Sequence, residues 1–271
     1  MRTDGRRSDS SDEGLDASRP VAVVTGAAAG IGLAIAERLL ADGFAVGVFD
    51  RDAALKTRFA AAEAAGRATV VVGDVTDAAD RARLIEAVAA AHGVVDVLVN
   101  NAGIGGFGER IGSLDLAHLR TTLEINTVSV AAFVQLALPH LQRSERARIV
   151  NIGSLFADDP AEGGTDYTLS KGAIHALTRI LAIELGPAGI TCNSIAPGYI
   201  LTEMHRAEVA LQASRLGIAV EERFTQLRAQ VPLRRHGTAE DIAGAVSWLA
   251  STDSAYVTGV RIAVNGGVSF A

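Results

Sequence analysis

Pro20-Val-Ala-Val-Val-Thr-Gly-Ala-Ala-Ala-Gly-Ile-Gly32 is the stretch on which the fold of this chain turns. It opens as a short, β-branched run, the pattern of a buried strand. Gly26, Gly30 and Gly32 follow, and a helical pattern over 33–41 is stopped by Gly43. Strand, glycine turn and helix in that order suit a pyrophosphate. Missing side chains let the backbone approach the anion, and the helix N-terminus offers free N–H groups and partial positive charge. The spacing Gly-x-x-x-Gly-x-Gly differs from the usual Gly-x-Gly-x-x-Gly. Taken alone, these glycines also fit an ordinary tight turn.

Outward from this stretch, strand and helix patterns alternate. Strands are expected at 44–49, 68–72, 94–99, 148–152, 190–196 and 257–264. Helices are expected at 52–65, 77–91, 114–141, 165–185 and 239–250. That alternation predicts an α/β fold, a doubly wound, Rossmann-like parallel sheet of about seven strands with helices on both faces. Asp50 ends the second strand, where a carboxylate can accept two hydrogen bonds from an adenosine ribose diol and repel a 2′-phosphate. It can equally cap the next helix. Arg51 can bind such a phosphate, but Ala29 stands where an NADP site often offers a second basic group, so NAD is favoured over NADP. Asp74 can accept from an adenine amino group with Val75 along the base, or simply open the turn before the next helix. Asn100-Asn-Ala-Gly103 suits a chain passing tightly beside a ligand, and equally a plain turn. The stretch 199–231 holds two short helical patterns joined at Gly217. It reads as a lid over the site or as a surface packed on a neighbouring subunit.

Composition bounds the function. With 271 residues, 49% of them apolar, the chain can bury one full core, and 20–271 reads as a single domain. A net charge of −6 argues against a nucleic-acid partner. Cys192 is the sole cysteine, so no intrachain disulfide forms; it lies in an apolar run and reads as a core thiol. No apolar stretch is expected to be long enough to span a bilayer. The segment 1–19, rich in Ser, Asp and Arg, lacks the apolar middle of a signal peptide and is expected to be a disordered tail on a cytoplasmic protein.

Chemistry is concentrated in Tyr167-Thr-Leu-Ser-Lys171. Residues four apart share a helix face, so Tyr167 and Lys171 point the same way. A phenol with its usual pKa near ~10 carries protons poorly at neutral pH unless a cation stabilises the phenolate, which Lys171 can supply. Ser154, delivered by the strand at 148–152, can hold a substrate oxygen beside the phenol. Asn126 sits mid-helix, a position that is mildly unfavourable unless it bonds something. Such a Tyr–Lys pair is also compatible with a half-buried ring and a solvated amine.

Together, Thr25-Gly-Ala-Ala-Ala-Gly-Ile-Gly32, Asp74, Asn100-Asn-Ala-Gly103, Asn126, Ser154, Tyr167 with Lys171, and Pro197-Gly-Tyr-Ile-Leu-Thr202 resemble the short-chain dehydrogenase/reductase family in its compact form. The resemblance runs from about Pro20 to Gly267. It implies Tyr167 as general acid/base, with Lys171 lowering its pKa and holding the nicotinamide ribose. Ser154 would bind the substrate oxygen and Asn126 would anchor a relay water. Gly26, Gly30, Ile31 and Gly32 would line the nucleotide. Asp50, Asp74, Val75 and Asn101, within the run Asn101-Ala102-Gly103, would lie toward its adenosine half. Pro197 and Gly198 lead to Ile200, whose backbone would meet the nicotinamide carboxamide, with Thr202 nearby. The implied activity is NAD-dependent interconversion of a secondary alcohol or polyol with its ketone, by a homotetramer or homodimer and without a metal. A 3-oxoacyl thioester reductase using NADPH is the alternative. The loop Asp158-Asp-Pro-Ala-Glu162-Gly-Gly-Thr-Asp166 is more acidic than the family pattern, which leaves the substrate open.

Overall fold

Among the described residues seven strands form one sheet in the order β3-β2-β1-β4-β5-β6-β7, all paired in parallel. The computed structural model describes residues 19–270, so the tail expected at 1–19 lies outside the described residues except for Arg19. β1 (Val21–Thr25) leads to α1 (Gly30–Ala41), and β2 (Ala45–Asp50) to α2 (Ala54–Ala64). β3 (Ala68–Val72) leads to α3 (Ala78–His92), and β4 (Val97–Asn100) to the helices α4 (Leu116–Leu123) and α5 (Ser129–Leu141). β5 (Arg148–Ile152) is followed by α6 (Thr165–Leu185). β6 (Thr191–Pro197) precedes α7 (Glu203–Leu216), α8 (Val220–Gln230) and α9 (Ala239–Ala250), and β7 (Arg261–Val264) closes the sheet. The order reverses between β1 and β4, which opens a crevice above their C-terminal ends.

Both faces of the sheet are covered. Ile35 and Leu39 of α1 pack with Ile242, Val246 and Leu249 of α9 on Val24, Val46 and Val99. On the other face Leu84 and Val88 of α3, Phe133 and Leu141 of α5, and Leu181 of α6 cover Val23, Leu98 and Ile149. Cys192 is fully buried in this second layer. Each strand reads as a nearly continuous apolar run because both of its faces are covered.

Three of the departures from the sequence reading have local reasons. β4 starts at Val97 rather than 94, because the Asp96 carboxylate accepts from the Val21 N–H at 2.7 Å and takes the place of a ladder bond. β7 starts at Arg261 rather than 257. Just before it, the Asn193 amide donates to the Val257 carbonyl and the Thr258 hydroxyl accepts from the Cys192 N–H, so side chains replace backbone pairing. The helix expected over 114–141 is two α-helices joined by a π-turn, Glu124–Val128. By length and composition Leu116–Leu141 would also qualify to cross a bilayer, contrary to the sequence reading. Here α5 buries Phe133, Val134, Ala137 and Leu141 in the core.

Candidate active site

The glycine turn is braced from the side. Gly26 and Gly30 adopt left-handed φ values of 68° and 55°. A Cβ on Gly32 would lie 2.1 Å from the Gly26 carbonyl oxygen, so only glycine fits there. Asn101 donates its amide to the carbonyls of Thr25 and Gly26 at 2.9 and 3.0 Å, and the Thr25 hydroxyl accepts from the N–H groups of Asn101 and Ala102. The Asn101 side chain therefore fastens β4 to the turn, where the sequence reading aimed it at adenosine. Helix α1 begins without a side-chain cap and without an acid in its first turn, which leaves its N-terminus suited to an anion.

Asp50 accepts from the Ala28 N–H at 2.9 Å with one oxygen and from the Asp52 N–H at 3.0 Å with the other. It does not cap α2; Asp52 accepts from the Ala54 N–H instead. Each Asp50 oxygen keeps a lone pair for a ribose hydroxyl. Asp74 closes the turn that was its bland alternative, accepting from the N–H and hydroxyl of Thr76, both at 2.8 Å. Those bonds, with help from Arg51, hold its carboxyl below the usual range. Val75 accepts from Arg81 through its carbonyl. Glycine turn, uncapped helix and strand-end acid fit a dinucleotide.

Ser154, Tyr167 and Lys171 converge at the C-terminal end of β5. Ser154 is extended and buried, its hydroxyl accepts from the Phe156 N–H at 3.1 Å, and its side chain acts on the Tyr167 phenol. Burial pushes the phenol pKa up, Ser154 opposes that rise, and the charge of Glu208 adds to it. Lys171 sits one helical turn on, its Nζ donating to the Ile152 carbonyl at 2.9 Å and lying 5.8 Å from the centre of the Tyr167 ring. Burial lowers its own pKa to about 8. Lys171 shares the helix face of Tyr167, as its spacing predicts, and burial is the largest influence on the phenol here. Asn126 lies in the π-turn, where its side chain accepts from the Ile104 N–H and donates to the Ile104 carbonyl and the Ser170 hydroxyl. A Cβ on Gly103 would sit 3.1 Å from Asn126 Oδ1 and 3.5 Å from Lys171 Nζ, so Gly103 lets β4's loop pass close to the site.

Past β6, Pro197 and Gly198 turn the chain toward α7. A Cβ on Gly198 would press on Asn265 at 2.7 Å. Ile200 is buried and bridges Gly237. Thr202 caps α7, and its methyl would lie 3.3 Å from a Cβ on Gly30, which brings the first turn of α7 against the glycine loop. Tyr199 stacks on His205 with ring centres 5.7 Å apart and lies 6.3 Å from Phe156, which in turn lies 6.5 Å from Tyr167.

Several contributors had little signal in the sequence. His175, one turn beyond Lys171, bonds Ser194 through Nδ1 at 2.9 Å and faces the Ser154 carbonyl at 3.4 Å. Asp158 pairs with Arg261 at 2.5 Å, and Glu162 with Arg110 at 3.0 Å. Asp166 is buried and accepts from the Phe107 N–H and the Thr122 hydroxyl. Much of the acidic loop is thus spent on structure. The i, i+4 spacing of Lys171 and His175 was the one available hint.

A family profile described as Enoyl-(Acyl carrier protein) reductase matches residues 26–269. An uncharacterized oxidoreductase of Methylorubrum extorquens is 40% identical, over 92% of this chain and 97% of its own. A variant of actinorhodin polyketide ketoreductase with NADPH superposes with a TM-score of 0.87 at 33% identity, covering 93% and 98% of the two chains. NAD+-bound xylitol dehydrogenase superposes at 0.86 with 31% identity, covering 94% and 100%. The chain belongs to the short-chain dehydrogenase/reductase family, whose members are NAD(P)-dependent oxidoreductases acting on CH–OH groups.

Proposed function

We propose that this protein oxidises a secondary alcohol or polyol to its ketone with NAD, reversibly, using Tyr167 as general acid/base. The observation that carries this reading is the convergence of the Ser154 hydroxyl, the Tyr167 phenol and the Lys171 ammonium at the C-terminal end of β5, beside the crevice. Bound nicotinamide supplies the hydride chemistry. Ser154 holds the substrate oxygen, and Tyr167 removes its proton in oxidation or returns it in reduction. Lys171 keeps positive charge beside the developing phenolate and would hold the nicotinamide ribose. Asn126 widens its helix at the site and would anchor a water beyond Lys171. Gly26, Gly30, Ile31 and Gly32 would cradle the pyrophosphate. The free lone pairs of Asp50 support NAD over NADP.

The similarity to a polyketide ketoreductase that binds NADPH favours a second reading, reduction of a 3-oxoacyl thioester. Turnover of a ketone and of a 3-oxoacyl thioester, each with NADH and NADPH, separates the two. Replacement of Asp50 by Ala is expected to narrow the gap between the two coenzymes. Tyr167→Phe should lower kcat by about a thousandfold, within the usual worth of a positioned acid/base, while NADH binding stays close to wild type. Activity within tenfold of wild type would overturn the assignment. The α7–α8 segment serves as a lid in this reading. The exposed Ile180 and Ile183 on α6 support a homodimer or homotetramer joined through the long helices.

A further inference from the structure

Helix α7 presents His205, Glu208 and Gln212 at positions i, i+3 and i+7, which form one ridge. His205 is fixed by stacking on Tyr199, and Tyr199 continues through Phe156 to the catalytic phenol. Glu208 is held on the same side. Its Oε1 accepts from Gln212 Nε2 at 2.9 Å, and Oε2 lies 3.6 Å from His205 Nδ1. Gln212 is anchored in turn by Arg223, which donates to Gln212 Oε1 at 2.9 Å. Oε2 therefore keeps accepting capacity on the half-exposed edge of the ridge.

The other acids around the entrance are committed elsewhere. Asp158 is paired with Arg261, Glu162 with Arg110, and Asp166 is buried on Phe107 and Thr122. The field of Asp159 reaches Tyr199, whereas that of Glu208 reaches both Tyr199 and Tyr167. Glu208 is thus the carboxylate of this ridge that faces the ring path to the catalytic phenol, held 3.6 Å from His205, which stacks on Tyr199.

We infer that Glu208 reads the carbon next to the carbinol, selecting alcohols that carry a hydrogen-bond donor there, a hydroxyl or an ammonium, and turning away those with a nearby anion. The inference rests on the alcohol dehydrogenase reading above. A carboxylate in a partly desolvated cleft accepts strongly from a donor and repels a like charge.

The test is kcat/KM at neutral pH for 1-amino-2-propanol, 1,2-propanediol, 2-butanol and 3-hydroxybutyrate. In the wild type the first two should exceed 2-butanol, and 3-hydroxybutyrate should be poorest. Glu208→Gln should lower the ratio of 1-amino-2-propanol to 3-hydroxybutyrate by roughly tenfold or more, the scale of one charge contact in such a cleft. Glu208→Lys should reverse the order of those two. Ratios unchanged in both variants, or all four substrates changing together, would overturn the inference while leaving the dehydrogenase reading intact. No turnover of any of the four by the wild type would instead count against the alcohol reading itself.

Discussion

Lys171→Met should make this protein more stable while removing its activity. Lys171 is 5% exposed, and burial lowers its pKa from 10.5 to about 8. At about 1.4 kcal/mol per pH unit, keeping the ammonium inside costs the folded state about 3 kcal/mol near pH 6.5. The sign follows from proton counting. The unfolded chain holds the lysine proton more tightly, so the penalty is full below pH 8 and fades as pH rises toward 10.5. At pH 9.5 about half of it remains. Methionine fills a similar volume without charge but leaves the Ile152 carbonyl without its 2.9 Å donor, which returns about 1 kcal/mol. The net expectation is a gain of about 2 kcal/mol at pH 6.5 that shrinks to near zero at pH 9.5. Urea unfolding of both proteins at the two pH values measures it. A difference of the same size at both would refute the claim that an uncompensated buried charge is what the site carries.

Gly32→Ala should be among the most damaging single-methyl changes in the chain, because the new carbon meets the Gly26 carbonyl at 2.1 Å and Asn101 Nδ2 at 2.4 Å. A loss of about 3 kcal/mol or more, or an NADH affinity reduced at least tenfold, is expected in melting and fluorescence titration. Cys192, its thiol pushed up to about 12 by burial, should resist iodoacetamide at pH 8 in the folded protein and react only after denaturation. Labelling at equal rates in both states would contradict its burial.

The architecture was legible because its causes are local. β-branched runs between helical stretches predicted the parallel sheet, and α9 and β3 begin and end where their patterns do. Ser154, Tyr167 and Lys171 were legible as an ordered set. What escaped was the outcome of competition between residues distant in sequence. The Asn101 amide is consumed by the glycine turn, and the loop carboxylates by Arg261 and Arg110, partners about 50 to 105 residues away. None of these has a signature in periodicity or spacing.

The π-turn at Glu124–Val128 carries a last consequence. The Ser129 N–H bonds to the Glu124 carbonyl five residues back, so this one loop of helix holds an additional amino acid. Thr122 ahead of the turn with Asn126 within it, and Phe133 and Leu141 beyond it, consequently run out of phase by about 100°, one residue's rotation. Excising a single residue there would bring the two segments back into step. Either the polar pair would then swing off Asp166 and Ser170, or the aromatic and aliphatic anchors would leave the sheet; the molecule can keep both only by tolerating the mismatch.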